Sequence, residues 1–356
     1  MNAFSRILRA RQMRELSLLV ILILVILLFG TQIEGYFSPR MFDRIASTVA
    51  LITIVAVGQT LVVLTRNVDL SVGSIVGFTA FFVGKQFGIY HDIHPILAVL
   101  MSMGIGGLMG MVNGLLVAYG RVPAIVVTLG TLAIYRGILV EYSGSQSVVT
   151  RQLPEWLKSL PQVSVARIGD VELGALPAIA LVGVIIFQFV LIYTSFGRRL
   201  YAVGSSPEAA ELVGIPARRL IFTAFTLSGA LAGLGGFLYL ARIGTITSTA
   251  GQGLELQVIS AVVVGGVNTF GGSGSVFGAL LGAVLVGTID QSLKRTQISE
   301  FWKDALMGIF ILASVTTDSV MMNQLRMWWA ARKSKADDKL MEAAAQGKAI
   351  AHDTRS

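Results

Sequence analysis

SFGRRLYAVGSSPEAAELVGIPARRL, residues 195–220, is a polar island between two long apolar runs, residues 176–194 and 220–240. At about 1.5 Å of rise per residue, helices of that length come close to crossing the ~30 Å hydrocarbon core of a bilayer, so the island joins two membrane spans. Within it, Ser205 or Ser206 can cap a helix, Pro207 fits the first turn where its missing N–H costs nothing, and Glu208 faces the positive helix end. Gly214 followed by Pro216 stops the chain. Arg198, Arg199, Arg218 and Arg219 flank this short helix, which is the charge signature of a loop facing the cytoplasm. The expectation is a capped two-turn helix offered to the cytosol, either as a docking element or as part of a basic loop that only fixes topology.

Composition extends the membrane reading to the whole chain. Of 356 residues 54% are hydrophobic and 13% charged, with a mean hydropathy of +0.74, whereas about 25% of residues are charged in an ordinary soluble domain. The formal charge of +8 is not a nucleic-acid signature, because the basic residues sit between apolar runs and at the two ends, as topology requires. The chain contains no cysteine, which excludes disulfides, thiolate catalysis and iron–sulfur ligation. The three histidines, His91, His94 and His352, are too scattered for a metal site, and His91 and His94 read as a solvated link.

Ten apolar runs are candidate spans, at about residues 16–33, 45–65, 70–90, 95–119, 122–142, 176–194, 220–240, 254–267, 276–293 and 304–320. The eighth, at about 1.5 Å per residue, reaches only ~21 Å and fits a re-entrant half-helix. With ten crossings both ends are cytoplasmic, and the inside regions hold 17 of the 28 Lys and Arg; nine crossings would put the basic tail outside. The expected fold is an all-α polytopic membrane protein of about ten transmembrane helices: a cytoplasmic N-terminus (1–15), a transmembrane domain (16–320) holding the loop 195–219, and a cytoplasmic tail (321–356). The link 143–175, with Pro154, Trp156 and Pro161, is expected to lie along the outer interface. Asn67, Gly73, Ser74 and Gly77 recur 201 residues later as Asn268, Gly274, Ser275 and Gly278, which suggests a parallel internal repeat of two halves.

Chemistry is sparse. No phosphate-cradling GxxxxGK pattern occurs, and GGVNTFGGSGS (265–275) lacks the lysine, so it reads as a tight turn with close helix contacts. No catalytic residue and no cofactor is indicated. Glycines cluster inside spans, as in GIGGLMGMVNG (104–114) and SGALAGLGG (228–236), and small residues at that spacing mark helix faces packed against other helices. Asn113, Thr128, Thr131 and Gln188 are uncharged polar residues within spans; they suit a neutral polyhydroxy solute and equally suit bonds to a neighbouring helix. Arg136 reads as a snorkelling residue near a span end, and Asp69, Glu255, Asp290 and Asp318 all read as lying near span ends, leaving no acid stranded at the bilayer centre.

Taken in order, VGQTLVVLTRNVDLSVGS (57–74), GMVNGLLVAYGRVPAIVVTLGTLAIYRG (110–137), AVGSSPEAAELVGI (202–215), SGALAGLGG (228–236), GLELQVISAVVVGGVNTFGGSGSVFGALLGA (253–283) and WKDALMGIFILA (302–313) resemble the permease subunits of bacterial ATP-binding-cassette importers. The branch is that handling ribose, xylose, galactosides, rhamnose and autoinducer-2. The resemblance implies a non-enzymatic subunit in the inner membrane, partnered by a cytoplasmic ATPase, an external sugar-binding protein, a second permease copy (homo- or heterodimer) and membrane lipid. It implies that Glu208, Ala209, Ala210 and Gly214 form the element that couples to the ATPase. The family shows two glycines where this chain has Arg66 and Asn67, before Val68, Asp69, Leu70 and Ser71. That departure resembles the rhamnose and autoinducer-2 members more than the ribose members. From the polar span residues alone, a secondary carrier or facilitator for a small polar solute stays open, as does a membrane scaffold.

Overall fold

A computed structural model of the protein describes residues 3–90, 92–168, 171–296, 302–312 and 316. The chain divides into a compact unit, Met1–Ile311, and a second unit, Leu312–Ser356. The tail from residue 321, and Asp318, lie outside the described residues. Helices follow in the order α1 (Ala3–Gln32), α2 (Pro39–Leu64), α3 (Val72–Ile89), α4 (Pro95–Ala118), α5 (Ala124–Ser143), α6 (Glu155–Ser159), α7 (Ala175–Tyr193), α8 (Ser195–Ser205), α9 (Pro207–Leu212), α10 (Ala217–Ile243), α11 (Leu254–Val264) and α12 (Val276–Leu293). Residues 302–311 are helical as well. Seven of these helices, α2, α3, α4, α5, α7, α10 and α12, are long and apolar enough to cross a membrane; Leu18–Gln32 within α1, and α11, are shorter apolar helices. The protein is thus a multi-pass helical membrane protein. α11, at 11 residues, spans about 16 Å, in keeping with the half-helix expected there.

Local chemistry sets several boundaries. Ser38 caps α2, its Oγ accepting from Met41 N at 3.3 Å ahead of Pro39. His94, read from sequence as part of a solvated link, caps α4 through Nδ1, which accepts from Ile96 N at 3.3 Å. Ser275 Oγ accepts from Gly278 N at 3.0 Å to start α12.

α2 is the central post. Its residues from Thr48 to Leu64 are all buried, and a helix apolar on every side belongs at the middle of a bundle. It packs against α7, α10, α11 and α12. α4 and α10 cross closely, with Gly106 and Gly110 facing Gly229 and Gly233 backbone to backbone. These are the glycine runs that the sequence marks as packing faces, and close backbone approach is how a bilayer-embedded pair gains dispersion energy without a hydrophobic driving force.

The link 143–175 has secondary structure of its own. It contains α6 and a two-stranded antiparallel hairpin, β1 (Ser164–Ile168) with β2 (Val171–Gly174). Trp156 of α6 packs on Phe87 of α3 and Phe237 of α10, with ring centroids 5.8 and 6.3 Å away. Val148 and Ile246 exchange two backbone hydrogen bonds of 3.0 Å, tying this link to the α10–α11 connection.

Candidate functional site

The island 195–219 holds two helices rather than one. α8 begins at Thr194, whose Oγ1 accepts from Gly197 N at 3.3 Å, and it buries Gly197, Leu200, Val203 and Gly204. α9 begins at Ser206, whose Oγ accepts from Ala209 N at 3.3 Å, with Pro207 in the first turn. It ends in a Schellman arrangement: Gly214 N donates to Glu211 O at 3.0 Å and Ile215 N to Ala210 O at 2.9 Å. Gly214 has φ +74°, the left-handed conformation that this closure needs and that glycine adopts without steric cost.

The four residues predicted for coupling divide by exposure. Glu208, Ala209 and Gly214 are exposed. Ala210 is buried and packs with Val203, Ala217 and Leu220, so it seats α9 on α8 and α10. Two residues not singled out from the sequence stand out instead. Leu212 is 89% exposed and Val213 73%, an apolar tip on an otherwise polar helix. Beside it lies an open groove of about 420 Å³ lined by Tyr119, Glu211, Gly214, Ile215, Pro216 and Arg218.

Two of the four polar span residues, Asn113 and Thr128, meet at one place, the loop 65–71 between α2 and α3. Asn113 Nδ2 donates to Ser71 Oγ at 2.8 Å, and Ser71 Oγ donates to Asp69 Oδ1 at 2.7 Å. Thr128 Oγ1 lies 3.3 Å from Val68 O and 2.8 Å from Ala124 O, while Thr131 Oγ1 lies 3.4 Å from Thr128 O. Asn113, Thr128 and Thr131 are all buried. Gln59, with its amide turned so that Nε2 donates to Asp69 O (3.2 Å) and Oε1 accepts from Asp69 N (3.1 Å), satisfies the backbone of the same loop. Gln188 stands apart; its Oε1 accepts from Phe277 N at 3.2 Å, at the start of α12.

Asp69, Glu255 and Asp290 lie at or near helix ends as the sequence indicates, and Asp69 and Asp290 are buried there. Asp69 has no exposed surface; Ser71 N and Oγ hold Oδ1, while Oδ2 has no partner, and neither has Asn113 Oδ1. Burial pushes the Asp69 carboxyl above the usual carboxylate range, against hydrogen bonds from Ser71 that pull it down. Asp290, 2% exposed, is enclosed with Lys294 at 2.8 Å and Lys303 at 3.3 Å. Arg136 does not snorkel: Nη1 donates to Ala250 O in the connection before α11. A span end in sequence is therefore not a solvated position in this fold, because loops such as 65–71 turn back into the bundle.

Arg66 adopts φ +64°. Its Nε donates to Gly204 O at 2.5 Å and its Nη2 to Ser205 O at 2.6 Å. The loop that holds Asp69 is thereby joined to the base of α9.

A model of the family described as branched-chain amino acid transport system, permease component, matches residues 41–315. The autoinducer 2 import system permease protein LsrC of Escherichia coli O9:H4 (strain HS) is 35% identical over 308 residues, 86% of each chain. The fructose import permease protein FrcC of Rhizobium meliloti is 35% identical over 302 residues, 84% of each chain. LsrC of Salmonella typhi is 34% identical over 307 residues, 86% of this chain and 85% of its own. No solved structure matches. With the family model spanning most of the bundle and relatives aligned across nearly its whole length, the chain belongs to this family of transport-system permease components.

Proposed function

We propose that this chain is the membrane permease subunit of an ATP-driven, binding-protein-dependent sugar importer, carrying a monosaccharide-sized solute of the autoinducer-2 or rhamnose kind across the bacterial inner membrane. Relatives named for autoinducer 2 and fructose import support the solute class. The observation that carries the mechanism is the apolar tip Leu212–Val213 on the capped helix α9, between Arg198/Arg199 and Arg218/Arg219. An exposed apolar pair ringed by charge is a docking anchor for another protein. In this reading the partner is a cytoplasmic ATPase, which supplies the nucleotide site that the sequence lacks. Glu208 and Ala209 line the contact, Ala210 seats the helix, and Gly214 sets its exit. ATPase closure pulls α9, and the glycine-packed helices rock between outward and inward openings. Asn113 and Thr128 belong to the pathway indirectly, by shaping the loop 65–71, and Thr131 stands one turn further along α5.

Ten spans with both termini cytoplasmic accord with the distribution of Lys and Arg. The parallel repeat draws support from the hairpins α2–α3 and α11–α12, whose connecting loops meet where Gly272 N donates to Leu64 O at 3.0 Å. A second permease copy, identical or not, an external sugar-binding protein and surrounding lipid complete the importer.

The absence of cysteine makes the test direct. In the otherwise unaltered chain, Leu212→Cys crosslinks to the ATPase, and Ala210→Cys, buried beneath the helix, does not. Proteoliposomes take up sugar only with ATPase, binding protein and ATP together. Failure of Leu212→Cys to crosslink, or uptake by the chain alone without ATP, overturns the reading.

A further inference from the structure

The end of α8 is fastened to the rest of the bundle with unusual closeness. Arg66 reaches two of its final carbonyls, Gly204 O at 2.5 Å and Ser205 O at 2.6 Å. Tyr201 OH donates to Gly274 O at 2.8 Å. Gly204 lies so near Leu64 O and Gly272 N that no Cβ fits there. The residue after Ser205 is Ser206, the cap of α9. The far side of the loop 65–71 is fastened to α4 by the chain Asp69–Ser71–Asn113 and lies against α5, where Thr128 Oγ1, bonded to Ala124 O at 2.8 Å, comes within 3.3 Å of Val68 O.

Arg66 sits in this loop at a cost. A non-glycine residue is sterically disfavoured in the left-handed region. Its side chain is exposed, and carbonyls at an exposed helix end can be satisfied by water. Capping alone does not require so long a side chain in so strained a place. What Arg66 adds is a charge-assisted pair of hydrogen bonds to carbonyls at the negative end of α8, drawn from a different element of the bundle. Without it, the side-chain link left at Ser205 is its Oγ at 3.4 Å from Gly272 O.

We propose that Arg66 is a positioning residue for energy coupling. It is the strut through which displacement of α9 reaches the loop 65–71, and from there α4 and α5. The inference rests on the docking of an ATPase at α9, and its test separates the two.

The experiment measures uptake of a labelled sugar per ATP hydrolysed in proteoliposomes holding permease, ATPase and binding protein. The probe is whichever of L-rhamnose, D-fructose or autoinducer 2 the unaltered importer accumulates. Arg66→Gly deletes the strut while relaxing the backbone, so the fold is not burdened. ATPase capture and binding-protein-stimulated hydrolysis stay within about twofold, while uptake per ATP falls about fivefold or more, the lower edge of ordinary coupling between sites. Arg66→Lys, which keeps the charge but not the two-pronged geometry, restores part of it. A smaller folded fraction lowers uptake and hydrolysis together and leaves the ratio alone, so a merely structural role does not move this readout. An unchanged ratio in Arg66→Gly overturns the proposal. Loss of ATPase capture in that variant also overturns it, by making Arg66 part of the docking surface. Failure of docking itself registers elsewhere, as the absent Leu212→Cys crosslink or as no accumulation of any probe by the unaltered importer.

Discussion

The α4–α10 crossing offers the most direct check on how the bundle is held. A Cβ added at Gly229 would overlap Gly106 O and lie 2.7 Å from Gly110 Cα and 2.8 Å from Gly110 N. These are backbone atoms, so no side chain can swing aside. Reaching an ordinary contact of 3.4 Å from Gly110 Cα means parting the helices by about 0.7 Å, and a gap of about 0.5–1 Å forfeits a quarter to a half of the dispersion well for the atoms along the seam. Overpacking of this kind costs about 1–3 kcal/mol. Gly→Ala in a helix interior also brings a propensity gain of up to about 1 kcal/mol, which masks part of the cost. Gly104→Ala supplies the correction, since Gly104 lies on α4 with nothing within 4 Å of its Cβ and collects the same gain without the clash. Unfolding of the purified chain in detergent, followed by intrinsic tryptophan fluorescence, should place Gly229→Ala below Gly104→Ala by about 1–3 kcal/mol. A difference of less than about 0.5 kcal/mol, the scatter of neutral surface changes, refutes the claim that backbone approach at this seam organises the bundle.

At the exit of α9, Gly214 has nothing within 4 Å of its Cβ, so Gly214→Val is penalised by conformation alone. Membrane levels should hold while uptake falls, and Gly214→Asn, which tolerates the left-handed region, should keep most of the uptake; loss of Gly214→Val from the membrane would show that the turn matters for folding instead. Asp69 carries a pH signature. A carboxyl whose pKa is raised on folding is bound more tightly to its proton in the folded state, so its contribution is present at low pH and lost as pH rises from the ordinary carboxylate range through the raised folded value. Thermal unfolding between pH 4.5 and 8 should therefore show Asp69→Asn gaining on the parent as pH rises, and parallel curves would mean that the buried carboxyl does not set that slope.

Legibility in the sequence followed the range of the interactions. The cap at Ser206, the left-handed Gly214 and the short helix near 254–264 are set by residues within a turn of one another, and each was readable. α8 was not read, because Gly197 and Gly204 lower its helix propensity. Those glycines are there for tertiary reasons, at positions where a Cβ would meet Leu191 in one case and Leu64 O in the other. The usable signal was Thr194 as a cap followed by Phe196, Leu200 and Val203 at helical spacing. The burial of Asp69 and the reach of Arg66 across 138 and 139 residues had no local signal, since they depend on where the loop 65–71 turns back.

The polar span residues show why sequence alone could not choose between solute contacts and helix packing. Within a bilayer, irregular backbone must find its hydrogen bonds inside the protein. Among the described residues the loop 65–71 and the opening turn of α12 are two of the places that demand them. Asn113 serves the first through Ser71, and Thr128 through Val68 O; Gln188 serves the second through Phe277 N. The bonding of Thr128 and Gln188 is therefore accounted for by the backbone they satisfy, before any solute is considered, whereas Asn113 bonds the Ser71 side chain and keeps Oδ1 unpaired. A polar residue in a span identifies a pathway only when its bonding capacity exceeds what nearby backbone consumes. Thr53, Ser102 and Ser228 carry unpaired hydroxyls elsewhere in the spans, and in this cluster the surplus by that criterion lies with Asp69 Oδ2 and Asn113 Oδ1. Both sit on the loop-to-α4 bond network that Arg66 ties to α9, which makes movement of that loop, rather than direct contact with sugar, the natural use of the cluster.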